Sequence, residues 1–196
     1  MKVFVSALLV GIGFMAVSFF WPQSIDLPKM GSVKEWRLAD TSGEVIDNLE
    51  KPKLVTFFYT NCPDICPTTT LDLKDLQQLM KEKGVSQDQY LIISITLDPT
   101  FDTNDKIQQY KNAFDISDTN WLFLRGSEEV TKEFTHYFNF AYDMNQDGFI
   151  THSTSMYVVD QNDQIRAHHT MAIGENRVDI EEIAGHLLQL IEHVAE

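Results

Sequence analysis

The sequence predicts a single α/β domain, a mixed central sheet flanked by helices, carried behind an N-terminal membrane anchor. Three observations predict it. Continuous apolar runs such as Leu54-Val55-Thr56-Phe57-Phe58-Tyr59 recur along the chain and have the character of strands buried on both faces. They alternate with stretches whose apolar residues return at helical spacing, and the last two strand-like runs form a hairpin instead of another strand–helix unit. Ahead of all of them lies a charge-free run close to the ~20 residues that span a hydrocarbon core.

That run is Val3 to Trp21, and residues 1–22 are expected to be a transmembrane anchor or signal. Ala16-Val17-Ser18 offers small residues at cleavage spacing, but Phe19-Phe20-Trp21 would make a poor mature terminus, so an uncleaved anchor is the preferred reading. Lys2 is the only charge before the span, which keeps the N-terminus in the cytoplasm and sends the domain to the extracytoplasmic side. No cysteine lies near the segment to take a lipid. Residues 23–33, with Pro28, Gly31 and Ser32 and no apolar period, read as a tether, and the domain is expected over 34–196.

Within the domain a short strand, Trp36-Arg37-Leu38, and a turn at Thr41-Ser42-Gly43-Glu44 precede the central strand at Leu54–Tyr59. Leu71, Leu73, Leu76, Leu79 and Met80 mark a helix that stops at Gly84, placed as a C-terminal cap. Leu91-Ile92-Ile93-Ser94-Ile95 is a second buried strand. Ile107, Tyr110, Lys111 and Phe114 mark a helix opening near Thr103 or Asn104. Trp121–Leu124 is a third strand, and Val130, Phe134, Tyr137 and Phe138 a further helix. Met156–Val159 and Gln164–Ala167 flank the turn Asp160-Gln161-Asn162-Asp163, and Ile180, Ile183, Leu187, Leu190 and Ile191 close the chain as an amphipathic helix. This order is that of a thioredoxin-like layer, not of an all-parallel doubly wound sheet.

Composition narrows the function. A formal net charge of −14 over 196 residues argues against nucleic acid, whose phosphates need clustered Lys and Arg, and favours a basic protein partner. The chain has only two cysteines, and a domain of this size buries roughly 70% of its unfolded surface without needing a disulfide. Such a close pair points to redox or metal chemistry.

Cys62 and Cys66 stand at the junction of the central strand and the following helix. Residues i and i+4 share a helix face, so both sulfurs can address one object, a metal ion or each other. A thiolate at a helix N-terminus is stabilised by the free amide N–H groups and the dipole, which favours both reactivity and metal binding. Thiolates suit Cu(I), Zn(II) or iron–sulfur centres, and a third ligand would discriminate among them.

The segments Phe57-Phe58-Tyr59-Thr60-Asn61-Cys62-Pro63-Asp64-Ile65-Cys66-Pro67, Asp98-Pro99 with Asp102-Thr103, and His152-Ser153-Thr154-Ser155-Met156-Tyr157 together resemble the Sco/SenC family from about Trp36 onward. The resemblance implies a membrane-tethered thioredoxin fold. It also implies one copper ion, Cu(I) and/or Cu(II), held by Cys62, Cys66 and His152, with Asp98 as an acidic neighbour of the metal. The implied function is copper delivery to the copper A-bearing subunit of cytochrome c oxidase, with a thiol reductant or another copper donor as a further partner. The alternative is a thiol–disulfide oxidoreductase in which Cys62 and Cys66 cycle to keep the acceptor's cysteines reduced.

Other features read more plainly. His168 and His169 are adjacent on a strand and point to opposite faces, so they do not serve one ion together. His136, His186 and His193 lie in helical segments and are expected to face solvent. Asp143–Ile150 matches the opening of a calcium loop, but Thr154 stands where a bidentate Glu is required, so it is read as a tight turn that positions His152. A peroxide-consuming enzyme on the same fold fits the second cysteine poorly.

Overall fold

A computed structural model describes residues 27–46 and 49–194. The expected anchor at 1–22 lies outside the described residues, and among those described no helix is long and apolar enough to cross a membrane. The elements run β1 (Gly31–Ser32), β2 (Lys53–Phe58), α1 (Ile65–Glu82), β3 (Leu91–Thr96), α2 (Asn104–Ala113) and β4 (Trp121–Leu124). They continue with α3 (Glu128–His136), β5 (Tyr142–Met144), β6 (Ile150–His152), β7 (Ser155–Val159), β8 (Gln164–Thr170) and α4 (Ile180–Val194). Six strands form one sheet in the order β1-β8-β7-β2-β3-β4, and β5 pairs with β6 as a separate hairpin. β2, β3 and β4 are parallel, β7 runs against them, and β8, antiparallel to β7, runs with them again.

Every residue of β2 and β3 is buried, as their largely apolar runs require, and Lys53, Thr56, Ser94 and Thr96 are the polar side chains buried with them. Phe57 meets Phe138 and Phe140, whereas Phe58 meets Tyr110 and Phe123. Successive side chains thus pack on opposite faces of the sheet, Phe57 against the segment that follows α3 and Phe58 against Tyr110 of α2, each contributing on the order of 1.5–3 kcal/mol through burial.

Two short elements differ from expectation. Trp36–Leu38 is not a strand, because the Leu38 N–H turns back onto the Trp36 carbonyl and breaks the extension. Trp36 and Leu38 serve as buried plugs, and only Ala39 bridges to the sheet, at Arg125 just beyond β4. Conversely, Gly31–Ser32, assigned in sequence to the tether, pairs with Ile165 and Gln164 as an edge strand.

The register explains what meets at each end of the sheet. β2 and β7 are antiparallel, with Lys53 opposite Val159 and Val55 opposite Tyr157. The C-terminal end of β2, which leads to Cys62, therefore lies at the N-terminal end of β7, which follows His152. At the other pole a buried ion network ties the start of the domain down. There Lys53 Nζ donates to Asp163 at 2.6 Å, Arg166 Nη1 to Asp160 at 2.8 Å, and Arg166 Nε to the Leu27 carbonyl at 3.0 Å.

Candidate metal centre

The loop leaving β2 turns sharply, with the Cys62 N–H donating to the Tyr59 carbonyl at 3.1 Å, and α1 starts at once. Asp64 occupies the N-cap but its side chain makes no capping bond, and the first turn carries no acidic residue. Cys62 Sγ takes the cap's role by accepting from the Cys66 N–H at 3.4 Å. Pro67 is tolerated in that first turn because its missing N–H would have had no partner there. The sulfur thus sits where the helix presents its positive end.

His152 arrives from the other side. Asn145 Oδ1 accepts from the backbone N–H groups of Asp147 and Phe149, and Gly148 takes φ +78°, so the chain reverses between β5 and β6. This is the turn expected from the calcium-like segment. His152 Nδ1 donates to the Ser153 carbonyl at 2.7 Å, leaving Nε2 for the cysteine side. Its ring lies against Phe140 and edge-on to Tyr59.

One ligand atom each from Cys62, Cys66 and His152 lies within 4.8 Å of the others, the only such metal-competent group among the described residues. For three atoms so spaced, some point lies within about 2.8 Å of all of them. That is a few tenths of an ångström beyond a typical metal–sulfur bond, a gap that small side-chain rotations close.

The electrostatics divide the two sulfurs. The hydrogen bond from Cys66 holds the Cys62 thiol far below the usual thiol range, against its partial burial and with help from His152 and the helix N–H groups. Cys66 is pushed up by that same bond, by deeper burial and by the neighbouring Cys62 charge. For His152 burial acts downward, but the bond to Cys62 and the Ser153 carbonyl outweigh it and raise the imidazole. The two sulfurs are therefore unequal: half-buried Cys62 gives up its proton readily and buried Cys66 holds on to its own.

A family model described as SCO1/SenC matches residues 27–191. The chain belongs to the SCO1/SenC family. A SCO1 protein homolog from Bacillus subtilis is 30% identical over 139 residues, covering 68% of this chain and 69% of the relative. Two solved SCO1/SenC-type structures share the fold. BsSco, described as a member of the Sco family of cytochrome c oxidase assembly proteins with a disulfide switch, superposes with a TM-score of 0.72 at 23% identity, covering 87% of this chain and 98% of its own. Arabidopsis thaliana ScoI, solved with copper bound, gives 0.67 at 22% identity, covering 84% and 99%.

Against this family frame the sequence expectations divide. Cys62, Cys66 and His152 are brought together. Asp98 has another occupation: its Oδ1 accepts from the Phe101 N–H at 3.1 Å within its own loop. Asp102 is the carboxylate whose charge reaches Cys66. Fully buried, it accepts from the Thr60 N–H at 3.1 Å and from the hydroxyls of Thr60 and Thr96, stapling the cysteine loop to the end of β3. Its sequence signal was the Asp102-Thr103 pair already quoted in the motif, but that pair also reads as a simple helix start. His186 is half-buried instead of solvent-facing, because His169 on β8 bonds it at 3.0 Å.

Proposed function

We propose that this protein is a copper carrier that binds one copper ion through Cys62, Cys66 and His152 and passes it by ligand exchange to the copper A-bearing subunit of cytochrome c oxidase. The observation that carries the reading is the convergence of two sulfurs and one imidazole in a chain of this family. The copper-bound plant relative and the description of BsSco support it. In the same proposal residues 1–22 anchor the domain on the extracytoplasmic side of a membrane.

The chain's own residues supply the steps. Cys62 offers a ready thiolate, Cys66 gives up its proton as the ion arrives, and the Ser153 carbonyl fixes the His152 tautomer so that Nε2 faces the ion. Two soft sulfurs retain Cu(I), and the imidazole makes Cu(II) tolerable. Release begins where an incoming thiolate reaches the ion beside half-buried Cys62, since Cys66 is only 3% exposed. A groove of about 540 Å³ whose lining includes Asp98, Glu128, Glu129 and Asp143, with Lys132 the one base, fits the expected basic partner.

The unequal sulfurs also favour a second reading, a thiol–disulfide oxidoreductase. The Cys62 thiolate attacks an acceptor disulfide, and Cys66 resolves the mixed disulfide. The acceptor leaves as a dithiol, Cys62–Cys66 is oxidised by two electrons, and a thiol reductant restores it. One experiment separates the two. The reduced protein is loaded with copper and challenged with a chelator, beside His152→Ala. A carrier retains near one equivalent, and His152→Ala sharply weakens the Cu(II) form while the fold persists. No retention, with disulfide exchange indifferent to His152, selects the oxidoreductase, and an unchanged Cu(II) spectrum in His152→Ala removes that residue from the site.

A further inference from the structure

Away from the cysteine loop, β8 and α4 trap a second pair of metal-competent groups. His169 points from β8 into the interface and is 5% exposed, and its Nε2 stands 3.0 Å from Nδ1 of half-buried His186 on α4. Glu182, one helical turn before His186, holds the other His169 nitrogen, Nδ1, at 3.3 Å. A carboxylate accepts only, so Nδ1 carries the His169 proton and Nε2 presents its lone pair to His186. The proton shared between the rings then belongs to His186 Nδ1.

We propose that His169 Nε2 and His186 Nδ1 form a second transition-metal site, for a borderline divalent ion of the Cu(II) and Zn(II) class, with Glu182 as the group that orients His169. Imidazole suits both ions, and metal–nitrogen bonds of about 2.0–2.1 Å set the two nitrogens of a square-planar or tetrahedral centre about 2.8–3.4 Å apart. The observed 3.0 Å lies within that range, so a rotation of the His186 ring that turns its lone pair toward the shared point admits the ion. On binding, His186 keeps its charge state: its proton leaves Nδ1 for solvent and solvent protonates Nε2. The Glu182-His169 bond is the carboxylate–histidine arrangement that fixes the tautomer of metal-bound imidazole. Burial, and then the neighbouring His186, hold the His169 pKa down, which keeps the lone pair free at neutral pH. The β7–β8 register also sets Met156 opposite His169 on the same face, so a soft thioether borders the site. Water on the half-exposed His186 side completes the coordination. With two protein ligands, this site binds more weakly than the three-ligand cysteine centre.

The test uses the full chain carrying Cys62→Ser and Cys66→Ser, so that thiols neither compete for nor reduce the ion, and titrates it with Cu(II) alone and with Zn(II) alone. The expected result is one bound equivalent, with Cu(II) EPR hyperfine structure from two nitrogens, and with Zn(II) shifts confined to the imidazole signals of His169 and His186. His186→Asn is expected to abolish that binding. Glu182→Gln, at an exposed position that leaves folding unaffected, is expected to weaken it by about 10–100-fold. The proposal is overturned if the double serine variant binds no ion, if binding survives His186→Asn, if Glu182→Gln leaves affinity unchanged, or if His136→Ala removes the binding instead.

Discussion

Replacing Asp102 by Ala tests whether a buried carboxylate, acting from a neighbouring loop, sets the geometry of the cysteine pair. The change leaves the fully buried Thr96 O–H without its acceptor, although the oxygen still accepts from the Asp98 N–H at 3.0 Å, and frees the Thr60 N–H and hydroxyl, in a half-buried residue. A buried polar group left without its partner costs about 1–3 kcal/mol, and water repairs part of the loss at Thr60, so the total comes to about 2–4 kcal/mol. At a urea slope of about 2 kcal/mol per molar, the middle of the usual range, the unfolding midpoint should fall by roughly 1–2 M. Asp102→Asn behaves differently. Its oxygen still accepts from Thr60 while its amide donates to the Thr96 hydroxyl, and it removes a charge that burial disfavours, as the raised Asp102 pKa indicates. Its cost should stay at or below about 1 kcal/mol. Both variants lift the repulsion on Cys66, so the Cys66 thiol ionises at lower pH in each, but only the alanine loosens the loop that aims Cys62. Urea titration, the Cu(II) charge-transfer band and thiol alkylation against pH read these three effects. Asp98→Ala is the internal comparison, expected to cost about 1 kcal/mol through its single turn bond and to leave Cys66 unmoved. Equal stability of the alanine and asparagine variants at position 102, or a loss under 1 kcal/mol for alanine, would refute the staple.

Two further expectations concern titration. In the metal-free protein the Cys62 bond and charge help to raise His152, so Cys62→Ser should lower the His152 pKa; an unmoved imidazole signal in an NMR pH series would show that Cys62 is not the cause. His169 is depressed by burial first and by His186 second, with Glu182 opposing and His168 adding a smaller repulsion. A base with a lowered folded pKa contributes stability that is full above its unfolded value, about 6.5, and is lost as pH falls below it. The unfolding free energy from urea titration should therefore drop on acidification from that point, by about 1.4 kcal/mol in all for each unit of depression. His169→Gln should flatten that slope, and an identical slope in the variant counts against it.

How far the chain discloses itself depends on the range of each interaction. The buried strands were legible because Leu54–Phe58 and Leu91–Ile95 are apolar at every position or nearly so, a pattern that only a sheet covered on both faces accepts. Trp36–Leu38 looked like a strand because three residues carry no more information than alternation, and one backbone turn overrides it. Cys62 and Cys66 were legible as a pair from spacing alone, since one helical turn fixes their relation. His152 was not: ninety residues separate it from Cys62, and only the antiparallel β2–β7 register closes that distance. The motif resemblance named the residue without giving the reason, and the sheet gives it. Asp102 stood in the quoted motif but read equally as a simple helix start, and His186 lay beyond both kinds of signal. Asp102 could be told from Asp98 only once Thr60 and Thr96 converged on it. His186 reads as a surface residue until α4 docks on β8 and sets a buried imidazole against it. A residue whose role is to meet one particular partner across the fold leaves little local trace, so the groups that tune this centre and those that could form a second one are the ones that needed a structure.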